Sequence, residues 1–358
     1  MMTPFHSFHM RRMIPVLLLL PLMAIITACD HKDLCYHHKH MVKLRLEFDW
    51  SDCEDPERPD GMCVFFYPEQ PGLETRRFDF TGLQGGEITI AAGRYRLLTY
   101  NNDTESVFFR GMESHSTHEV YTRSGGLFES VTRGNQSNKG IPRAEGTEDE
   151  DVVICPDMMW GCSAIDITIS EQGISYICVP VKDKEEWMER PPIVTENTIT
   201  LYPHELTCIY TYEIRNVNNI EHIYQATASL SGMAPNLMLA EEELGRKPVT
   251  LPFEAYSDGV SKITGRFITF GHHAELPDPH RMMLYVWTND GKAYSFGSES
   301  PRFNVTEQVH SAPNRRHVHL IIDGLDIPTP IDPPNPDVPG AFNPDIDDWG
   351  EVFQDVYL

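Results

Sequence analysis

Basic residues are scarce in this chain. It has 29 lysines and arginines against 53 aspartates and glutamates in 358 residues, a formal charge of −24 that becomes −26 without Arg11 and Arg12, the only basic residues before Cys29. Such a surface repels phosphate backbones and excludes nucleic acid as a partner. Also missing are the motifs of common catalysts: there is no G-x-S-x-G elbow, no Walker loop and no H-E-x-x-H, and "HELTC" at His204 is one residue short of the last. No catalytic residue is therefore assigned, and a non-enzymatic protein is expected. The one long apolar run, Ile14 to Ile26, falls short of the roughly 20 residues that span a bilayer. Helical periodicity is nearly absent too, with "LMLAEEEL" (237–244) as its one short instance.

The N-terminus carries the strongest local signal. Arg11 and Arg12, the apolar run, and the small residues Thr27 and Ala28 before Cys29 follow the order of a signal peptide. "IITAC" resembles the lipobox of bacterial lipoproteins. That resemblance implies cleavage before Cys29, a diacylglycerol on its thiol and acylation of the new amino group. Residues 1–28 would then be the signal peptide and residues 29–40 a tether, with covalent lipid on Cys29 and no other cofactor. Several acyl chains, at about 0.8 kcal/mol per buried methylene, hold far more firmly than one. The alternative is an ordinary secretory signal with an incidental cysteine.

With Cys29 lipidated, seven cysteines remain, and an odd number excludes a complete disulfide framework. Cys162 and Cys178, in consecutive apolar segments, are either a cross-strand bridge or buried thiols. His31, Cys35, His37, His38 and His40 are residue types that bind zinc or copper. They sit on a leader without a rigid outer shell, so no metal site is assigned. His317 and His319 share one strand face and His272 and His273 one turn, and nothing in the spacing brings the two pairs together. Asp345, Asp347 and Asp348 read as a solvated acidic tail, because an EF-hand register would place Trp349 and Val356 at ligand positions.

The rest of the chain reads as β. "MVKLRLEFDW" (41–50) alternates Val42, Leu44, Leu46, Phe48 and Trp50 against Lys43, Arg45, Glu47 and Asp49, the period of a half-buried strand. Many short strands follow, and Asp290-Gly291 between two of them predicts a tight hairpin with positive φ at both turn positions. Residues 133–151, "RGNQSNKGIPRAEGTEDED", have almost no large apolar side chain and predict a mobile, protease-sensitive loop around Arg143. The polar, Pro-containing 182–197 marks a boundary. The expected organisation is all-β: two tandem antiparallel β-sandwiches over 41–182 and 193–326, then a tail over 327–358. That tail holds seven prolines and seven acids with no basic residue, so its first half should be an extended spacer.

Together the lipobox, the Cys-containing polar leader, "LQGGEITIAAGRYRLLTYNND", "CPDMMWG" and the terminal "DDW" resemble a family of Bacteroidales lipoproteins of unassigned function whose fold is similar to the fimbrillins. The resemblance implies two transthyretin-like β-sandwiches, lipid-anchored in the outer membrane at the cell surface, acting as a fimbrial anchor or accessory subunit or as an adhesin. Fimbrillin subunits join by donor-strand exchange, and the segment carrying Trp349, Val352, Val356 and Leu358 is the candidate donor here. Arginine-specific trimming of fimbrillins is not carried over to Arg143, which lies too deep in the first domain; anchor subunits keep their lipid untrimmed. The alternative is a surface glycan-binding lipoprotein using Trp160, Trp187, Trp287 or Trp349 as a stacking platform.

Overall fold

The computed structural model describes residues 40–51, 53, 57–128, 140–176, 193–195, 197–276, 279–329 and 353–355. Strands dominate, and among these residues the one α-helix is Thr306–His310. No described helix is long and apolar enough to cross a membrane.

The first sandwich packs one sheet of Ile193–Val194, Thr198–Leu201, Met41–Phe48 and Gly86–Ala91 against a second of Gly173–Tyr176, Trp160–Ser170, Gly93–Asn101, Gly61–Pro68 and Arg76–Thr81. Alternation works as the sequence predicts in Met41–Phe48, where Leu44, Leu46 and Phe48 are buried and Met41, Lys43 and Arg45 are exposed. Those side chains meet Ile88, Ile90, Ile199 and Leu201 on their own sheet and Val64, Phe66, Leu97 and Ile167 on the facing one. The second sandwich is built the same way. Tyr256–Ser257, Ile263–Thr269, Cys208–Asn218 and His317–Asp326 face Ala293–Phe296, Met282–Thr288, Ile223–Met233, Val249–Glu254 and Asp151–Val152. Tyr210, Tyr212, Ile214, Leu320 and Ile322 meet Leu230, Leu251, Phe253, Leu284 and Phe296 between the layers.

Several features depart from the expectation. Most pairings are antiparallel, but Met41–Phe48 with Thr198–Leu201 and Cys208–Asn218 with His317–Asp326 run parallel. Thr198–Leu201, placed by its sequence after the boundary, thus completes the first sandwich. The two halves also share a sheet: Val107–Arg110 and Glu119–Thr122 from the first continue into Asn236–Met238 and Glu243–Leu244 from the second. Beneath it Phe65, Tyr100 and Val120 pack with Leu237, Leu239 and Phe270. "LMLAEEEL" is therefore part of a short hairpin and not a helix, because Leu237 and Leu239 are both needed in that core. A run of eight residues is also too short for a helix to hold itself together.

Residues 140–152 also differ from the mobile loop predicted for 133–151. Ile141, Ala144 and Val152, with Leu127 and Phe128, cover Met283, Tyr285, Trp287 and Ala293 on the outer face of the second sandwich. Phe128 meets the Tyr285 and Trp287 rings edge-on at 5.2 and 5.0 Å. Asp151–Val152 joins that sheet as a parallel strand beside Val249–Thr250. The composition misleads because a few apolar side chains, placed at the ends of the segment, suffice when the surface beneath is already aromatic. Residues 133–139 lie outside the described residues.

Candidate functional site

The sheet of the second sandwich ends in Ala293–Phe296, "AYSF", every residue of which is buried. Tyr294 and Phe296 point into the core between the layers. Ala293 points outward under Phe128. With both faces covered, the remaining recognition surface of this strand is its row of backbone N–H and C=O groups, the part of a sheet that accepts another strand. Phe353–Asp355 lies there, parallel, with Ala293 opposite Phe353, Tyr294 opposite Gln354 and Ser295 opposite Asp355. The tail thus returns to its own sheet edge. Trp349, Val352, Val356 and Leu358, the proposed donor positions, lie outside the described residues, as does Cys29.

The hairpin that presents this edge joins Met282–Thr288 to Ala293–Phe296 through Asp290-Gly291. Gly291 has φ +79° and Asp290 does not share that conformation, so the turn is not the two-residue form predicted. The Gly291 amide donates to the Thr288 carbonyl and the Thr288 amide to the Lys292 carbonyl, both at 2.9 Å. That is the longer hairpin loop closed by a left-handed glycine.

Arg143 is held through both its side chain and its carbonyl. Its guanidinium donates to the Glu150 carbonyl at 3.1 Å and to Thr250 Oγ1 at 2.8 Å. Ser298 donates to its carbonyl, and Ala144 is only 2% exposed. A protease needs an extended, accessible stretch; this bond is folded against the sheet. The tryptophans are also committed, with Trp160 and Trp287 buried and the Trp50 indole donating to the Leu83 carbonyl. Trp187 and Trp349 lie outside the described residues.

The cysteines are partly accounted for. Cys63 and Cys208 are buried thiols, and burial pushes Cys63 up to about 12, so neither is a nucleophile at neutral pH. Cys162 lies in the first core, and Cys178 and Cys35 lie outside the described residues.

The histidines sort differently from their spacing. His317 bonds to Glu205 at 2.8 Å and His319 to Thr211 at 2.9 Å. His273 turns to the Leu244 carbonyl. His272, by contrast, converges with His280 and His310. Neither of the latter stands in a motif with His272, so only the fold reveals the group. Beside it Glu242 bridges His204 and Arg316; burial pushes its carboxyl up, but the two partners outweigh that and hold it at about 2.

Among curated proteins the chain is 24% identical, over 93% of its own length and 95% of the other's, to a protein of Bacteroides ovatus named as a fimbrium anchoring subunit, Fim4B. Among solved structures a Bacteroides ovatus protein described as an adhesin superposes with a TM-score of 0.53 at 21% identity, covering 81% of this chain and 94% of that one. The second likeness shows a shared fold. The profile of one family, described as a domain of unknown function (DUF5119), matches residues 28–254, well over half of the chain, and the chain belongs to that family.

Proposed function

We propose that this protein is a lipid-anchored subunit of a surface fimbrium that holds the fibre to the outer membrane. The observation that carries the proposal is the end-to-end likeness to a fimbrium anchoring subunit, which spans nearly the whole of both chains. Two further points support it. The family match begins at Ala28, one residue before Cys29, where a lipoprotein's mature chain would start. The buried strand Ala293–Phe296 keeps a backbone edge on which, among the described residues, Phe353–Asp355 of the chain's own tail pairs. A strand from a neighbouring subunit can take the same backbone edge through the same kind of hydrogen bonds.

The test separates anchoring from docking. Cys29→Ser should move the protein from the membrane to the soluble fraction with its fold intact. Deletion of residues 346–358 should leave it membrane-bound while changing how much fimbrial subunit it retains. A membrane-bound Cys29→Ser protein overturns the anchor. Unchanged subunit retention after the deletion overturns the docking role of the tail.

One observation favours a glycan ligand as a second reading. Tyr224 and Tyr256, 59% and 58% exposed, line an open groove of about 510 Å³ together with Glu221, Gln225 and Glu254. Exposed rings beside hydrogen-bonding side chains suit a sugar face. A glycan array without signal, or signal that survives the double change Tyr224→Ala and Tyr256→Ala, removes this reading.

A further inference from the structure

Three segments distant in sequence bring imidazoles to one point in the second sandwich. His272 follows Ile263–Thr269, where Gly271 at φ +108° turns the chain. His280 immediately precedes the Met282–Thr288 strand region, and His310 ends the helix Thr306–His310. One ligand nitrogen from each lies within 4.8 Å of the others. The Nε2 atoms of His280 and His310 are 3.1 Å apart, close to the roughly 3.3 Å that separates two nitrogens on a tetrahedral zinc with bonds of about 2.0–2.1 Å. The His272 Nε2 is buried and has no hydrogen-bond partner among the described residues. A buried polar atom without a partner is costly, and a ligand to that atom accounts for it.

The outer shell is in place. The His280 Nδ1–H donates to the Ser231 carbonyl at 3.2 Å, which leaves its Nε2 lone pair facing the other two rings. The His272 Nδ1 lies 2.9 Å from the buried Tyr210 hydroxyl, which likewise leaves Nε2 as the inward atom. Such second contacts are what orient metal-bound imidazoles. The backbone is clamped as well. The His280 amide donates to Thr306 Oγ1 at 2.8 Å and the Val305 amide to the His280 carbonyl at 2.9 Å, tying the His280 segment to the helix that carries His310. Gly232 closes the other side, since a Cβ there would stand 2.7 Å from His280 Nδ1.

We propose that His272, His280 and His310 bind one divalent transition-metal ion, zinc by preference, through their Nε2 atoms. Three nitrogens leave a fourth position for solvent. The ion would tie the turn at His272 and the segment at His280 to the helix that carries His310.

The test uses the full chain, purified in mild detergent, with His31, His37, His38 and His40 changed to alanine and Cys35 to serine so that the leader cannot bind. Metal-stripped protein is titrated with Zn²⁺ and with Co²⁺, reading stoichiometry, the visible cobalt bands and the melting temperature. One ion per chain, four-coordinate cobalt bands and a raised melting temperature are expected. His310→Ala and His310→Gln, at the margin of the core and therefore expected to fold, should each lose the bands and weaken zinc binding by more than about tenfold; His319→Ala should change neither. Cobalt bands that persist in His310→Ala, or folded protein that takes up neither ion stoichiometrically, overturn the site.

Discussion

Two residues, His118 and Glu242, take part in the acid response. His118 sits between tyrosines: Tyr67 donates to the Met112 carbonyl and so accepts the His118 Nδ1–H at 2.7 Å, while Tyr100 faces Nε2 at 3.2 Å. Burial pushes this imidazole down to about 4 from 6.5. The unfolded chain therefore takes up the proton first, so the contribution is complete above pH 6.5 and is lost as pH falls toward 4. We expect about 3 kcal/mol to disappear over that window, read by urea unfolding at several pH values, with a shallower slope in His118→Phe. Glu242 acts in a lower window, from 4.5 down to about 2. Glu242→Ala strands Arg316 and should cost about 2–4 kcal/mol at pH 7, measured the same way. Neither residue stands out in sequence. His118 lies in "STHEV" and Glu242 in an acidic run, and each gains its role only from partners far along the chain.

At the level of elements, period-two alternation found Met41–Phe48 and the Asp-Gly pair found its hairpin, because both signals are local. The sequence reading fails where two layers meet on one strand. Gly61–Pro68 is buried at nearly every position, since Met62, Val64 and Phe66 enter the first core while Cys63, Phe65 and Tyr67 enter the shared one. The segment 127–152 fails for a related reason: its few apolar residues matter only because Tyr285 and Trp287 wait beneath. Phe128→Ala should therefore lower stability by about 3–5 kcal/mol. It should also make Arg143 cleavable by trypsin in limited proteolysis, where the unchanged protein resists at that bond. Resistance retained in Phe128→Ala would mean that the hydrogen bonds of Arg143 suffice alone. The lipobox cysteine and the tail were legible as candidates from composition and order; the histidine triad was not, because its members are separated by 8 and 30 residues with no repeating interval.

The whole molecule does not behave as two beads on a string. Four strands drawn from both halves form one sheet over one core, and Asp151–Val152 leaves the first half to pair with the second. Cooperative units follow such contacts rather than sequence order. We expect one calorimetric transition from residues 41–329, with no separate melting of the first sandwich. Pro substitution at Val120, which removes an amide from the middle of the shared sheet and disturbs its core, should split it in two.

That shared sheet also has a mechanical meaning. In the proposed anchoring role, the pull of a fibre under flow would enter the protein at one place and leave at another. Where halves are joined by a flexible linker, tension first straightens the linker. Here the halves are joined by backbone hydrogen bonds across Glu119–Thr122 and Asn236–Met238. Tension applied across the two halves therefore meets those hydrogen bonds in the folded body.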